Sequence, residues 1–315
     1  MSKRYLRASS LLFNQPLLVT PDMLDLGVRW ANQTMSLNII NLGGSSAQLW
    51  KDDDPIDRVA YADEQRRNAI AQTGIEVIPV SGVLVSRGSH LNACETMTSY
   101  EGLRSQLQRA VADPLVEHIV LDIDSPGGSA VGAFELAEDI RAMTAQKPIT
   151  GLVNFMAYSG GYLIGSACSE IVVSRTSGVG SIGVIASHMD RSKMEEGMGV
   201  KVTTVYAGAH KNDLSPHEPI TEQSMKFLNE LVQESYQMFV SAVADYRGLP
   251  VAKVIGTEAA LYRGQTAINA GLADRLQNPQ HTVDELSRAV AQNRATRQTS
   301  RISVRAAALA MQSLA

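Results

Sequence analysis

Ser159 is the residue whose surroundings most suggest chemistry. An apolar stretch from Ile149 to Phe155 runs on into Ser159, Gly160 and Gly161, and the apolar run Tyr162 to Ala167 follows, a pattern that predicts strand, turn and helix. A hydroxyl at a helix start lies in the positive field of the helix end, and the Gly160 amide follows it directly, so a nucleophile and a donor for an oxyanion come together. The same serine could equally be a plain N-cap that accepts from the amides of the first turn. A second stretch repeats the logic: LDIDSPGGSA, Leu121 to Ala130, ends an apolar strand in Asp124, Ser125, Pro126, Gly127 and Gly128. Two residues without a β-carbon can hold their amides toward a cavity at the carboxyl end of a strand, where α/β sheets place ligands, or can simply make a Pro-Gly turn.

A serine hydroxyl attacks at neutral pH only when a base takes its proton. None of the six histidines (His90, His118, His188, His210, His217 and His281) sits in a setting that marks it for that role. Lys211 is the other candidate, because it follows an expected β-branched strand, Val202 to Tyr206, and a Gly-Ala turn. To act as a base it must be neutral against a reference pKa of about 10.4, which calls for burial; an ordinary lysine is a solvated surface charge. His210, Asp213, His217 and Glu218 are close in sequence, but their spacing fits no zinc pattern and Pro216 and Pro219 disfavour a shared helical face. The glycines of GVGSIGV, Gly178 to Val184, are spaced wrongly for a dinucleotide site.

The elements that must position these residues follow from periodicity. Ile75 to Val85 is β-branched and punctuated by Pro79 and Gly82, and reads as strand. Leu103, Leu107 and Val111 recur at helical spacing before the strand Ile119 to Leu121, and Phe134, Ala137, Ile140 and Met143 form the next helical face. Such alternation predicts parallel strands joined by crossover helices. Met225, Leu228, Val232, Ser235, Phe239 and Val243 mark a long amphipathic helix from Glu222 to Arg247, and Thr257 to Leu276 reads as strand, turn, small helix and strand.

With 315 residues the chain is long enough for a sizeable core, and a net charge of −4 argues against a dedicated nucleic-acid binder. Aromatic residues make up only 5%, so the core must be aliphatic. The sequence offers no apolar run long enough to span a membrane and no secretory signal, which predicts a cytosolic chain whose Cys94 and Cys168 stay thiols. Three regions are expected: an arm over 1–74, with a Gly43 to Ser46 turn and an Asp52 to Asp54 acidic cluster; a main domain over 75–276; and a compositionally separate basic tail over 277–315. After Glu285 that tail has no acidic residue but carries Arg288, Arg294, Arg297, Arg301 and Arg305.

Taken in order, DSPGG, AYSGGYLIGSAC, GVGSIGV, GAHKND and LYRGQTAINAGLADRL resemble the serine peptidases of the signal peptide peptidase A family across about residues 75–276. VIPVSGVLVSRG and LLFNQPLLVTP are most similar to the capsid assembly, or head maturation, proteases of lambda-like phages. The resemblance implies an α/β fold of the crotonase/Clp-protease type, a spiral of β-β-α units with an N-terminal arm and a C-terminal helical or disordered tail. It implies a Ser-Lys dyad with Ser159 as nucleophile and Lys211 as base. Gly128, with Gly127 beside it, and Gly160 would be the oxyanion donors, and Ser181 would orient the lysine. It further implies no metal and no cofactor, a homo-oligomer, and phage scaffold, portal and capsid proteins as partners inside an assembling procapsid in the host cytoplasm, without nucleic acid or membrane. No stretch reads as the family's membrane anchor, and the scaffold that phage relatives carry after the domain is expected to be shortened or absent; the tail, with VRAAALAMQSLA, could link to scaffold, be cut by the enzyme itself, or pack as a helix. The expected groove is narrow, takes small side chains and binds peptide by strand addition. Three competing readings are a cytosolic signal-peptide-peptidase-like enzyme degrading small peptides, a crotonase-type acyl-CoA enzyme that does not need Ser159 with Lys211, and an inactive scaffold or interaction protein.

Overall fold

β-branched runs and helix-period segments alternate along the chain, and the computed structural model folds them as strands and helices over the described residues, 16–20, 55–88 and 97–312. The Gly43 to Ser46 turn, the Asp52 to Asp54 cluster, His90, Cys94 and the last three residues of the tail lie outside them. Strand β1 (Leu17–Val19) comes first, then helix α1 (Pro55–Thr73) and β2 (Ile75–Val85). Next are β3 (Met97–Ser99), α2 (Tyr100–Ala112), β4 (His118–Ser129), α3 (Ala133–Met143), β5 (Ile149–Tyr158), α4 (Gly160–Ser166) and β6 (Glu170–Val173). After β7 (Gly178–Gly180) come α5 (Ser192–Gly197), α6 (Glu222–Arg247), α7 (Val251–Ile255), β8 (Leu261–Arg263), α8 (Gln265–Ala270), β9 (Arg275–Leu276) and α9 (Pro279–Gln312).

The sheet runs in the order β3-β2-β4-β5-β6-β9 with every neighbouring pair parallel. The expected α/β architecture holds, including a β-β-α unit made of β2, β3 and α2. β5 divides its edge: Thr150 to Val153 pairs with β6, and Met156 to Tyr158 pairs with β7. β8 closes antiparallel on β7, and β1 lies antiparallel on the carboxyl end of β4.

One sheet face carries the main core, where Ile78, Ile119, Leu121, Ile123 and Val153 meet Leu103, Leu107, Leu136, Ile140, Leu163 and Phe239 from the helices. Burying such side chains stabilises by about 1.5–3 kcal/mol each. Ser99 caps α2 by accepting from the Gly102 amide (3.1 Å), and Thr221 caps α6 by accepting from the Ser224 amide (3.1 Å). Gly248 ends α6 in the left-handed region, φ 61°. Ala110 and Leu136 take core positions, whereas Val111 and Phe134 are only half-buried, so both helical faces are turned slightly from the expected ones. Met225 remains exposed at the start of α6.

One segment differs from expectation, and the tail takes the helical one of its expected forms. Val202 to Tyr206 forms no strand, because among the described residues it has no ladder partner, and a β-prone run without one stays irregular. The tail, set apart by composition, forms α9 and docks on the opposite sheet face, with Val290 against Ile75, Val120, Leu152 and Val172. Arg294 fastens it by donating to Glu117 (2.6 Å) and to the carbonyls of Ala71 and Leu115. Cys168 is a buried free thiol whose pKa burial pushes up to about 12, as expected of a small core residue. No described helix is long and apolar enough to cross a membrane.

Candidate active site

β4 ends in the Gly127-Gly128 pair, and two irregularities meet there. The β2–β4 register shifts between Ser81 and Val83, and the β4–β5 register shifts between Ile123 and Ser125. Gly127 has φ +101°, a region open to glycine, and a β-carbon on it would collide with the Leu18 carbonyl; one on Gly128 would collide with the backbone of Leu84. The two glycines are therefore required by close backbone approach. Ser125, fully buried, fixes the turn: its hydroxyl donates to the Gly82 carbonyl (2.7 Å) and accepts from the Gly127 amide (3.1 Å). Sequence reasoning treats this serine only as part of the turn; its place two residues before Gly127 is the signal of a local side-chain-to-backbone bond.

Ser159 closes β5 and opens α4 with φ 52° and ψ −117°, strained for a residue with a β-carbon by about 1–3 kcal/mol. Its amide donates to Gly180 (2.9 Å), which holds the turn. The side chain makes no capping bond; the hydroxyl instead donates weakly to the Gly183 carbonyl at 3.4 Å. Of the two roles open to this serine, the N-cap is thus not taken. A β-carbon on Gly127 would lie 2.9 Å from the Gly160 nitrogen, and one on Gly160 would lie 3.4 Å from the Gly128 nitrogen. The two glycine turns therefore converge at the carboxyl ends of β4 and β5, with Ser159 beside them.

β1 lies over this convergence in the register Leu17↔Ser129, Leu18↔Gly128, Val19↔Gly127. On its other side, Leu17 exchanges both backbone bonds with Ile185, 2.8 and 3.0 Å. Leu18 and Ser159 are both fully buried.

Ser181 follows β7 with φ 54°, is buried, and donates from its amide to Ala260 (3.0 Å). Lys211 lies instead on an exposed turn after the irregular 200–206 segment, contrary to the burial expected of a base. Among the described residues no hydrogen bond joins it to Ser159 or Ser181. Its turn is well held: Asp213 accepts from Gln223 (2.6 Å) at the start of α6 and pairs with His210 (2.7 Å), and these bonds keep its carboxyl below the usual range. His217 pairs separately with Glu195 (2.8 Å). On the strand leading to the glycine pair, burial raises the carboxyl pKa of Asp122 and of Asp124, the latter also through its neighbour Asp122.

The arrangement brings together Ser159, Gly127, Gly128 and Gly160. It provides a hydroxyl, converging backbone amides and strand edges on both sides of an extended segment, which is the equipment for attack on a peptide carbonyl.

Residues 141–293 match Peptidase family S49. The chain is similar to capsid assembly protease C of Escherichia phage lambda, 37% identical over 282 residues, 86% of this chain and 62% of the phage protein. It is also similar to head-tail preconnector protein GP5 of Enterobacteria phage P21, 41% identical over 220 residues, 70% of this chain and 44% of that one. The chain thus spans between 44% and 62% of the length of these two relatives. Among solved structures it is similar to a ClpP1 mutant from Listeria monocytogenes, with 10% identity, a TM-score of 0.43, and coverage of 70% of this chain and 99% of that one.

Proposed function

We propose that the chain, whose residues 141–293 match peptidase family S49, is a serine endopeptidase of phage head maturation, working with Ser159 as nucleophile and Lys211 as base. The observation that carries this reading is the strained, uncapped, buried Ser159 beside the Gly127-Gly128 and Gly160 turns. The amides of Gly128 and Gly160 stabilise the oxyanion formed when Ser159 attacks a peptide carbonyl, and water then releases the acyl group. Ser181 orients the amine. The substrates are scaffold, portal and capsid proteins within the assembling procapsid, the context suggested by the names of the two phage relatives.

Lys211 does not meet Ser159 within the single chain as described. The exposed Val200, Val202, Val205 and Tyr206 just before it support completion of the dyad on self-association, when a second copy covers this segment and dries the amine. Ser159→Ala and Lys211→Ala should each remove processing of co-expressed head proteins while leaving the circular dichroism spectrum and melting unchanged. Fluorophosphonate should label the wild type and spare Ser159→Ala. Cleavage retained in Lys211→Ala would refute the dyad, and labelling at another residue would refute the nucleophile.

A further inference from the structure

Among the described residues, β1 is a three-residue strand placed against the candidate active site. Leu17–Val19 is extended and has partners along both edges. Leu17 uses its N–H and C=O on Ile185, and backbone groups alternate along an extended chain, so those of Leu18 turn the other way, toward Gly128. The contact geometry agrees. The Leu18 carbonyl oxygen lies against Gly127 and 3.4 Å from where a β-carbon on Gly160 would stand, and the Leu18 side chain lies 3.3 Å from that same point. The carbonyl of Leu18 thus lies at the convergence of the two glycine turns, beside the Ser159 turn. The chain continues past it, with Val19 opposite Gly127. Leu18 is also fully buried and belongs to the main core, so its side chain is packed among apolar residues.

We propose that the Leu18–Val19 peptide bond is a self-processing site, presented to Ser159 by strand addition. This rests on the peptidase reading above and adds to it a bond and a pocket: the residue on the acyl side of the cut is a buried aliphatic. The Ser159 oxygen bonds to the Leu18 carbonyl carbon while its proton passes to the base. The carbonyl oxygen takes the negative charge beside the Gly128 and Gly160 amides. The bond to the Val19 nitrogen breaks as that nitrogen receives the proton and leaves as a free amine. Water then adds to the Leu18 acyl-enzyme, restoring the Ser159 hydroxyl and giving a carboxylate on Leu18.

The full-length chain is expressed as wild type, Ser159→Ala, Leu18→Asp and Leu18→Met, and each N-terminus is read by intact mass and N-terminal sequencing. The expected result is a chain beginning at Val19 in the wild type and in Leu18→Met, with residues 1–18 retained in Ser159→Ala. Leu18→Asp should be cut more than about tenfold more slowly, since a carboxylate cannot enter an apolar pocket unpaired. A wild type that keeps residues 1–18 overturns the inference, and so does a Val19 terminus that also forms in Ser159→Ala. Fluorophosphonate labelling and cleavage of co-expressed head proteins, read on the same samples, tell whether the peptidase reading falls with it. An uncut wild type that labels at Ser159 and cleaves other chains overturns the self-processing site and leaves that reading standing.

Discussion

At the scale of single residues, the site depends on a hydroxyl that performs no chemistry itself. Ser125 ties the Gly127 amide to the Gly82 carbonyl across the level where both register shifts occur, so the direction of the following Gly128 amide depends on it. Ser125→Ala would leave the half-buried Gly82 carbonyl and the buried Gly127 amide short of a partner, a loss of about 1–3 kcal/mol in stability. Because the proposed oxyanion donor it aims would be needed only once negative charge develops, kcat should fall about tenfold or more while KM stays close to the wild-type value. Urea unfolding and steady-state hydrolysis of a peptide substrate measure the two effects. A lower melting point with unchanged kcat would make Ser125 a purely structural residue.

Among the elements, β4 does most of the positioning, and its two faces have different tasks. Ile119, Leu121 and Ile123 bury the helix side, whereas His118, Val120, Asp122 and Asp124 point to the face partly covered by α9. His118 meets the Thr150 hydroxyl through Nε2 at 2.9 Å, and burial lowers its pKa from 6.5 to about 4. The folded chain therefore holds it neutral at a pH where the unfolded chain binds a proton. Its contribution to stability is complete above about pH 6.5 and is lost as the pH falls toward 4, a change of about 3 kcal/mol. The raised carboxyl pKa values of Asp122 and Asp124 act in the opposite sense, since the folded chain takes up protons there first. Comparison with His118→Gln isolates the histidine: between pH 7 and pH 4 the denaturation midpoint of the wild type should fall further than that of the variant. Parallel curves would show that His118 is not the titrating group.

Considered as a whole molecule, the single chain builds one half of the proposed site and leaves the proposed base apart from it. Ser159 and the glycine turns are buried and over-determined by backbone contacts, while Lys211 follows a run with Val205 92% exposed and Tyr206 52% exposed. Apolar side chains at that exposure beside a candidate base fit an interface between copies. Val205→Asp should weaken self-association by more than about tenfold and slow fluorophosphonate labelling in proportion, with the fold unchanged. Light scattering and labelling rates measured over a range of protein concentrations test this. A Val205→Asp chain that associates and labels like the wild type would remove the segment from the active assembly.

The strand and helix alternation, the two glycine turns and the candidacy of Ser159 were all legible in the sequence, because each is written in neighbouring residues: apolar spacing, Gly-Gly pairs and a serine at a helix start. The long helix from Glu222 to Arg247 was legible for the same reason, its period repeating often enough to be unmistakable. Only the tertiary structure decided that α9 docks through Val290, that Ser125 locks the turn, that Val202 to Tyr206 has no ladder partner among the described residues, and that Lys211 is exposed. It alone decided, too, that Leu17–Val19 lies over the two glycine turns, since three residues are too few to show a period and their strand exists only through pairing with residues far along the chain.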